Sequence, residues 1–199
     1  MSMRSFISKI AVVAAAIAAA VTPRASASGL IPSHTLLQAG GGMGIVSAGA
    51  GWSYGRGNKW ETDISIGIVP KYDSNSCKAV LALKENFVPW NFRINDRFSF
   101  QPLTASLYFT TIASSRFWLR QPDRYAAGYY LLPTKIRTNI SIGERFTWHF
   151  RGYRGRSQSL TAFYEFGSCD IYVLSAFGNS SLRVSDILQL TIGLRFNFR

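Results

Sequence analysis

Alternation with a period of two constrains this chain more than any other feature. In the last segment Leu188, Leu190, Ile192, Leu194, Phe196 and Phe198 fall on one face, and Gln189, Thr191, Gly193, Arg195 and Asn197 on the other. That is the period of a β-strand. Trp60, Thr62, Ile64, Ile66 and Ile68 likewise oppose Glu61, Asp63, Ser65 and Gly67. Ile136, Ile140, Ile142, Phe146, Trp148 and Phe150 alternate with Arg137, Asn139, Ser141, Gly143, Arg145, Thr147 and His149. Val46, Ala48, Ala50, Trp52 and Tyr54 alternate with Ser47, Gly49, Gly51 and Ser53.

A soluble β-sandwich alternates too. The polar faces here carry small and charged residues, while the apolar faces are long and end in aromatics. Segments of about ten residues with that pattern are the signature of a transmembrane β-barrel. The fold class expected is therefore all-β, an eight-stranded antiparallel transmembrane β-barrel. Its strands are expected near 34–42, 45–55, 59–71, 78–92, 97–111, 134–150, 158–169 and 185–198. Short turns follow strands 2, 4 and 6, at Arg56-Gly57-Asn58, Arg93–Asp96 and Arg151–Arg156. Long connections follow strands 5 and 7, at about 112–133 and 170–184. Outer-membrane barrels have short periplasmic turns and longer external loops. The loop after strand 1, around Met43-Gly44, is the short exception. Trp52, Tyr54, Trp60, Trp90, Phe92, Phe98, Phe100, Trp148, Phe150, Phe196 and Phe198 all fall at the periplasmic strand ends, where one interfacial girdle explains them.

The first 27 residues read as a secretory signal peptide. Arg4 and Lys9 give a basic start, Ile10 to Val21 is apolar, and Ala25-Ser26-Ala27 fits the cleavage rule, leaving Ser28 first in the mature barrel of residues 28–199. The chain has 22 basic and 10 acidic residues, and loss of Arg4, Lys9 and Arg24 leaves the mature part strongly basic. Export turns that charge away from nucleic acid and toward anionic lipid headgroups or lipopolysaccharide phosphates. The expected location is the outer membrane of a Gram-negative bacterium, reached through the barrel-assembly machinery.

An eight-stranded barrel has an interior only wide enough for side chains. The inward candidates are Glu61, Asp63, Lys84, Asn86, Arg137, Arg145, Glu165 and Arg195, and opposite charges in so tight a space are expected to pair. Glu85 and Glu144 have lipid-facing parity. A bulge near Pro89 is expected to re-aim Glu85, and for Glu144 a bulge or a position near an interface is the one account the sequence offers. The segment 112–133 interleaves Arg116, Arg120 and Arg124 with Phe117, Trp118, Tyr125, Tyr129 and Tyr130. Arg pairs with phosphate and Trp and Tyr favour an interface, so Arg116, Trp118, Arg120, Arg124 and Tyr125 are candidates for lipid-headgroup contact.

Chemistry is sparse. The glycine run at 40–44 lacks the Lys-Ser/Thr of a phosphate loop, and no metal-ligand spacing or cofactor motif is present. Cys77 and Cys169, the two cysteines, fall near the external rim, and a disulfide between them needs strict geometry. His34 and His149 lie at periplasmic strand ends without a Ser or carboxylate at motif spacing.

The layout resembles the lipid A deacylases of the PagL type, small eight-stranded outer-membrane acyl hydrolases. The shared features are a short first strand ending in Gly, a long second strand, a third beginning at Lys59-Trp60-Glu61, and a final strand Leu190–Phe198. That resemblance implies a His-x-Ser motif late in strand 7. Here the stretch reads Tyr164-Glu165-Phe166-Gly167-Ser168-Cys169-Asp170, with Phe166 where the His would stand. Phe cannot take a proton from Ser168, which leaves Ser168, Asp170 and Asp186 as the catalytic candidates if the chain is a hydrolase. The chain also resembles small barrels of Bacteroidetes-type bacteria. The function expected is a structural or lipopolysaccharide-contacting barrel without enzymatic activity. The alternatives are a lipid A 3-O-deacylase-like hydrolase with a displaced catalytic set, and a soluble periplasmic barrel that binds an apolar ligand.

Overall fold

A computed structural model describes residues 31–70, 77–112, 136–151, 157–178 and 183–198. The signal segment and the Arg- and aromatic-rich stretch holding Arg116, Trp118, Arg120, Arg124 and Tyr125 lie outside the described residues. The strands are β1 (His34–Gly40), β2 (Val46–Tyr54), β3 (Trp60–Val69), β4 (Lys78–Phe87), β5 (Phe92–Arg93), β6 (Phe98–Ile112), β7 (Ile136–Arg151), β8 (Ser157–Cys169) and β9 (Gln189–Phe198). Helices α1 (Asp170–Gly178) and α2 (Val184–Ile187) join β8 to β9.

Each strand pairs antiparallel with its neighbour in sequence, except that β4 pairs with β6 and β1 with β9. Those two pairings close an eight-stranded barrel and leave no exposed edge. The two-residue β5 only folds back onto Phe100 and Ser99 of β6. The strands are staggered. His34 stands beside Gly51, Gly51 beside Asp63, Asp63 beside Lys84, Lys84 beside Tyr108, Tyr108 beside Asn139, and Asn139 beside Cys169. This line starts at the first residue of β1 and ends at the last of β8, the tilt that barrel closure demands. The end where β1 begins and β9 finishes is called the terminal end below, and the opposite one the distal end.

Alternation sorts the faces. Ser47, Asp63, Ser65, Lys84, Asn86, Ser106, Asn139, Ser141, Glu165, Thr191 and Arg195 are buried inside, while Ile64, Leu83, Leu107, Ile140, Ile142, Ile192 and Leu194 are exposed outside. Aromatics pair on the outer wall toward the terminal end. Trp148 stacks near Phe150, Phe150 near Phe196, and Phe196 near Phe198, with Trp60 beside Phe87 at 4.7 Å.

Two expectations need correcting. The ladder through Glu85 is unbroken, from Thr62 to Leu107, so no bulge near Pro89 re-aims it. The irregularity falls instead between Gln101 and Thr104 of β6, around Pro102, which has no N–H to give the ladder. Residues 185–187 belong to helix α2 rather than to the last strand, which starts at Gln189. The Ser168 hydroxyl takes the Ile187 carbonyl at 2.9 Å, where a further strand pair would otherwise form.

The distal end is filled from the β1–β2 turn. Gly40, Gly41, Gly42 and Gly44 all have positive φ, which glycine adopts without strain. The turn drops Met43 into the lumen, where it is 1% exposed and packs with Ala82 and Tyr108. Tyr108 donates to the Gly41 carbonyl at 2.9 Å. Gly67 makes room for this turn, since a Cβ there would lie 1.8 Å from the Met43 carbonyl oxygen. Gly67→Val is therefore expected to lift the turn out and cost about 1–3 kcal/mol, read as a lower urea midpoint by tryptophan fluorescence in detergent micelles.

Candidate functional site

The polar interior falls into linked layers. Nearest the terminal end, Thr147 and Thr161 hydroxyls bond at 2.8 Å, and Asn197 donates to Ser159 Oγ at 3.0 Å and to Thr161 at 3.2 Å. Next, Glu61 of β3 is shared by two guanidiniums. Arg145 of β7 donates to its Oε2 at 2.6 Å, and Arg195 of β9 bonds both oxygens, with Nη2 at 2.8 Å from Oε1. Bidentate Arg–carboxylate pairing of this kind is strong and directional.

Beside it, His34 Nε2 lies 2.6 Å from Asp63 Oδ1. These residues sit two strands apart with Gly51 between them. A Cβ at Gly51 would lie 2.1 Å from Asp63 Oδ1 and 2.3 Å from His34 Nε2, so a bare glycine is what lets the two meet. Asp63 Oδ2 accepts from Asn86 at 2.7 Å, and Asn86 Oδ1 accepts from Ser106 at 2.8 Å. Higher still, Lys84 reaches across the lumen to Glu165 at 2.5 Å, and Ser141 donates to the same carboxylate at 2.9 Å. The Phe163 ring lies under both Lys84 and Arg145, each 5.9 Å from its centroid. Three carboxylates (Glu61, Asp63, Glu165) thus meet three basic side chains (Lys84, Arg145, Arg195).

Arg137 stands apart from this network. It is part-exposed at the distal end and lies 3.8 Å from Asp170. Asp170 opens α1, where its carboxylate accepts the Ile171 N–H at 2.7 Å. Ser168 has outward parity on β8 but is buried, and its hydroxyl donates to the Ile187 carbonyl. Asp186 lies in α2, and its side chain is outside the described set. Both histidines of the chain lie toward the terminal end, remote from Ser168 and Asp170. Cys77 and Cys169 are free thiols in the structure, and Cys77 donates to the Val69 carbonyl at 3.3 Å. No cluster of three or more His, Cys, Asp or Glu suited to a metal occurs among the described residues.

Spacing along the chain left both histidines without partners, but the fold supplies them. His34 gains Asp63 through Nε2 and Ser33 through Nδ1, at 3.0 Å. His149 gains Ser99 at 2.8 Å. All these contacts but Ser33–His34 cross between strands, so only the register reveals them. Ser33, Ser99, His149, Glu61, Arg145 and Arg195 line a cavity of about 570 Å³ that opens at the terminal end.

No family model matches the chain, and no curated protein or solved structure is similar to it at a significant level. These comparisons thus lend no support to a place among the lipid A deacylases or the Bacteroidetes-type barrels.

Glu61→Gln would leave two buried guanidiniums without a countercharge, a loss of about 3–5 kcal/mol. Arg93→Ala, which removes a solvent-exposed pair with Asp96, is expected to leave the unfolding midpoint unchanged. Denaturant titration of both variants in micelles checks the contrast.

Proposed function

We propose that the chain spans the outer membrane of a Gram-negative bacterium as a structural, lipopolysaccharide-contacting barrel of the cell envelope. The outer wall carries this reading. Large apolar side chains are exposed on every strand of the closed barrel, with Ile142 61% and Ile192 55% exposed. A contiguous apolar surface of that extent marks a lipid or partner interface. Lipid is the environment that covers a closed wall on all sides. The aromatic pairs toward the terminal end suit a membrane–water boundary. The middle and distal parts of the lumen are filled and charge-balanced, which speaks for a scaffold and against an apolar ligand pocket there.

In this reading the terminal end faces the periplasm and the distal end the outside. The basic segment bearing Arg116, Arg120 and Arg124 would then meet lipopolysaccharide phosphates. The exterior acids fit a lipid surface once their partners are counted. Glu85 accepts from Tyr54 and, at 2.6 Å, from Thr62, while Glu144 accepts from Tyr164 at 2.7 Å.

The test is fractionation with gel migration. The protein is expected in the dense membrane fraction, with a mobility that differs between unheated and boiled samples. Ile142→Arg should destabilise the bilayer-inserted barrel by about 2–4 kcal/mol. A monodisperse protein that stays soluble without detergent would overturn the reading.

A further inference from the structure

We propose that Ser33, which lines the terminal-end cavity, forms an acyl-transfer triad with the buried His34 and Asp63 behind it and hydrolyses small, water-soluble polar esters. This goes beyond the scaffold reading and does not depend on which membrane holds the barrel. Ser33 lines the cavity and is only part-buried, so its Oγ is within reach of a ligand. The oxygen lies 3.0 Å from His34 Nδ1, and the opposite ring nitrogen lies 2.6 Å from Asp63 Oδ1. A base hydrogen-bonded to the nucleophile and oriented by a third group is the arrangement that activates serine. Asp63 is held in turn by Asn86 at 2.7 Å, so the carboxylate that fixes the ring has little freedom. The Ser53 N–H donates to Ser33 Oγ at 2.8 Å and pins the hydroxyl.

The proton bookkeeping closes. With Nε2–H given to Asp63, Nδ1 is free to accept the Ser33 proton as Oγ bonds to the ester carbonyl carbon. The ring returns that proton to the departing alkoxide as the ester C–O bond breaks. Water, deprotonated by the same nitrogen, then cleaves the acyl-serine, releasing the carboxylic acid and restoring Ser33. Arg195 Nη2 lies 3.2 Å from Ser53 Oγ, itself 3.1 Å from Ser33 Oγ, which places a cation one hydroxyl from the nucleophile.

A second observation points to a ligand. Arg145 is 4% exposed and lines the same cavity, yet its Nε has no hydrogen-bond partner. Its register neighbour Gln101 also lines the cavity with Oε1 unpartnered. Both atoms lie buried in the cavity wall, on residues that are register partners, so this wall holds polar groups that the protein itself leaves unpaired. The other serine–histidine contact, Ser99 with His149, is weaker ground, because no carboxylate bonds His149 among the described residues.

The test uses the full chain folded in detergent micelles, with folding read by the gel shift between unheated and boiled samples. A fluorophosphonate with a short polar linker is the probe, and peptide mass spectrometry locates the adduct. The expected result is a single adduct on Ser33, none in Ser33→Ala, and labelling slowed at least about a hundredfold in His34→Gln. Asp63→Asn should shift the pH profile of labelling, which a merely structural role would not do. A folded wild-type chain that takes no adduct at Ser33, or takes it on Ser99 or Ser168, would overturn the proposal. Solubility without detergent would sink the membrane reading and leave this labelling untouched, so the two fail separately.

Discussion

Much of the interior depends on one carboxylate, Glu61, held between Arg145 and Arg195. Ladder hydrogen bonds tie each strand only to its neighbours, so they leave open how opposite walls face one another. Glu61 joins β3 to β7 and β9, and Lys84–Glu165 joins β4 to β8. Desolvating such pairs offsets most of their attraction, so they are poor grounds for claiming net stability. Their effect on register is stronger. A slip of β9 by one residue would turn Arg195 outward and strand Glu61 among apolar walls, because side chains alternate along a strand. The ion pairs thus single out one closure among those that alternation alone would permit.

The same logic explains the two outward acids. Glu85 keeps its outward parity and is satisfied by Tyr54 and Thr62, which stand on neighbouring strands. Glu144 lies opposite the bulge at Pro102, between Gly143, paired with Thr104, and Arg145, paired with Gln101. There the ladder is interrupted, and Tyr164 on the other side supplies a hydroxyl. A carboxylate on an apolar wall is tolerated where a neighbour donates to it. Tyrosine suits that role because its ring belongs to the wall and its hydroxyl to the acid.

Strands were legible in the sequence wherever one face was apolar over many residues, as in β3, β7 and β9. Their ends were less so. Helix α1 and the β5 hairpin sit in connections, where no alternation announces them. Proline pointed to a bulge, but Pro89 and Pro102 look alike along the chain, and only pairing shows which one interrupts a ladder. The lumen acids and bases were visible as inward positions. Their partners were not, because Glu61 and Arg195 are far apart in sequence and meet only after the barrel closes. His34 shows the limit best. Gly51 reads locally as a small residue in a strand, yet its missing side chain is what joins His34 to Asp63.

The two ends of the lumen differ in a way that bears on any ligand. Met43, Tyr108 and Ala82 fill the distal side, and the ion-pair layers lie below them. Below Glu61 the walls carry Ser, Thr and Asn, whose side chains are too short to meet across the barrel. A cavity therefore forms at the terminal end, where small polar residues replace long charged ones. Its floor is the Glu61–Arg145–Arg195 cluster, so a molecule inside would meet fixed charge and could not pass through. Val88 and Phe198 give that lining some apolar surface among its Ser, Thr, Asn and charged side chains. A small molecule with polar groups, drawn from the solution that bathes the terminal end, suits this lining. That sets the proposed Ser33 chemistry apart from hydrolysis of lipid A, whose acyl chains would lie in a membrane outside the wall.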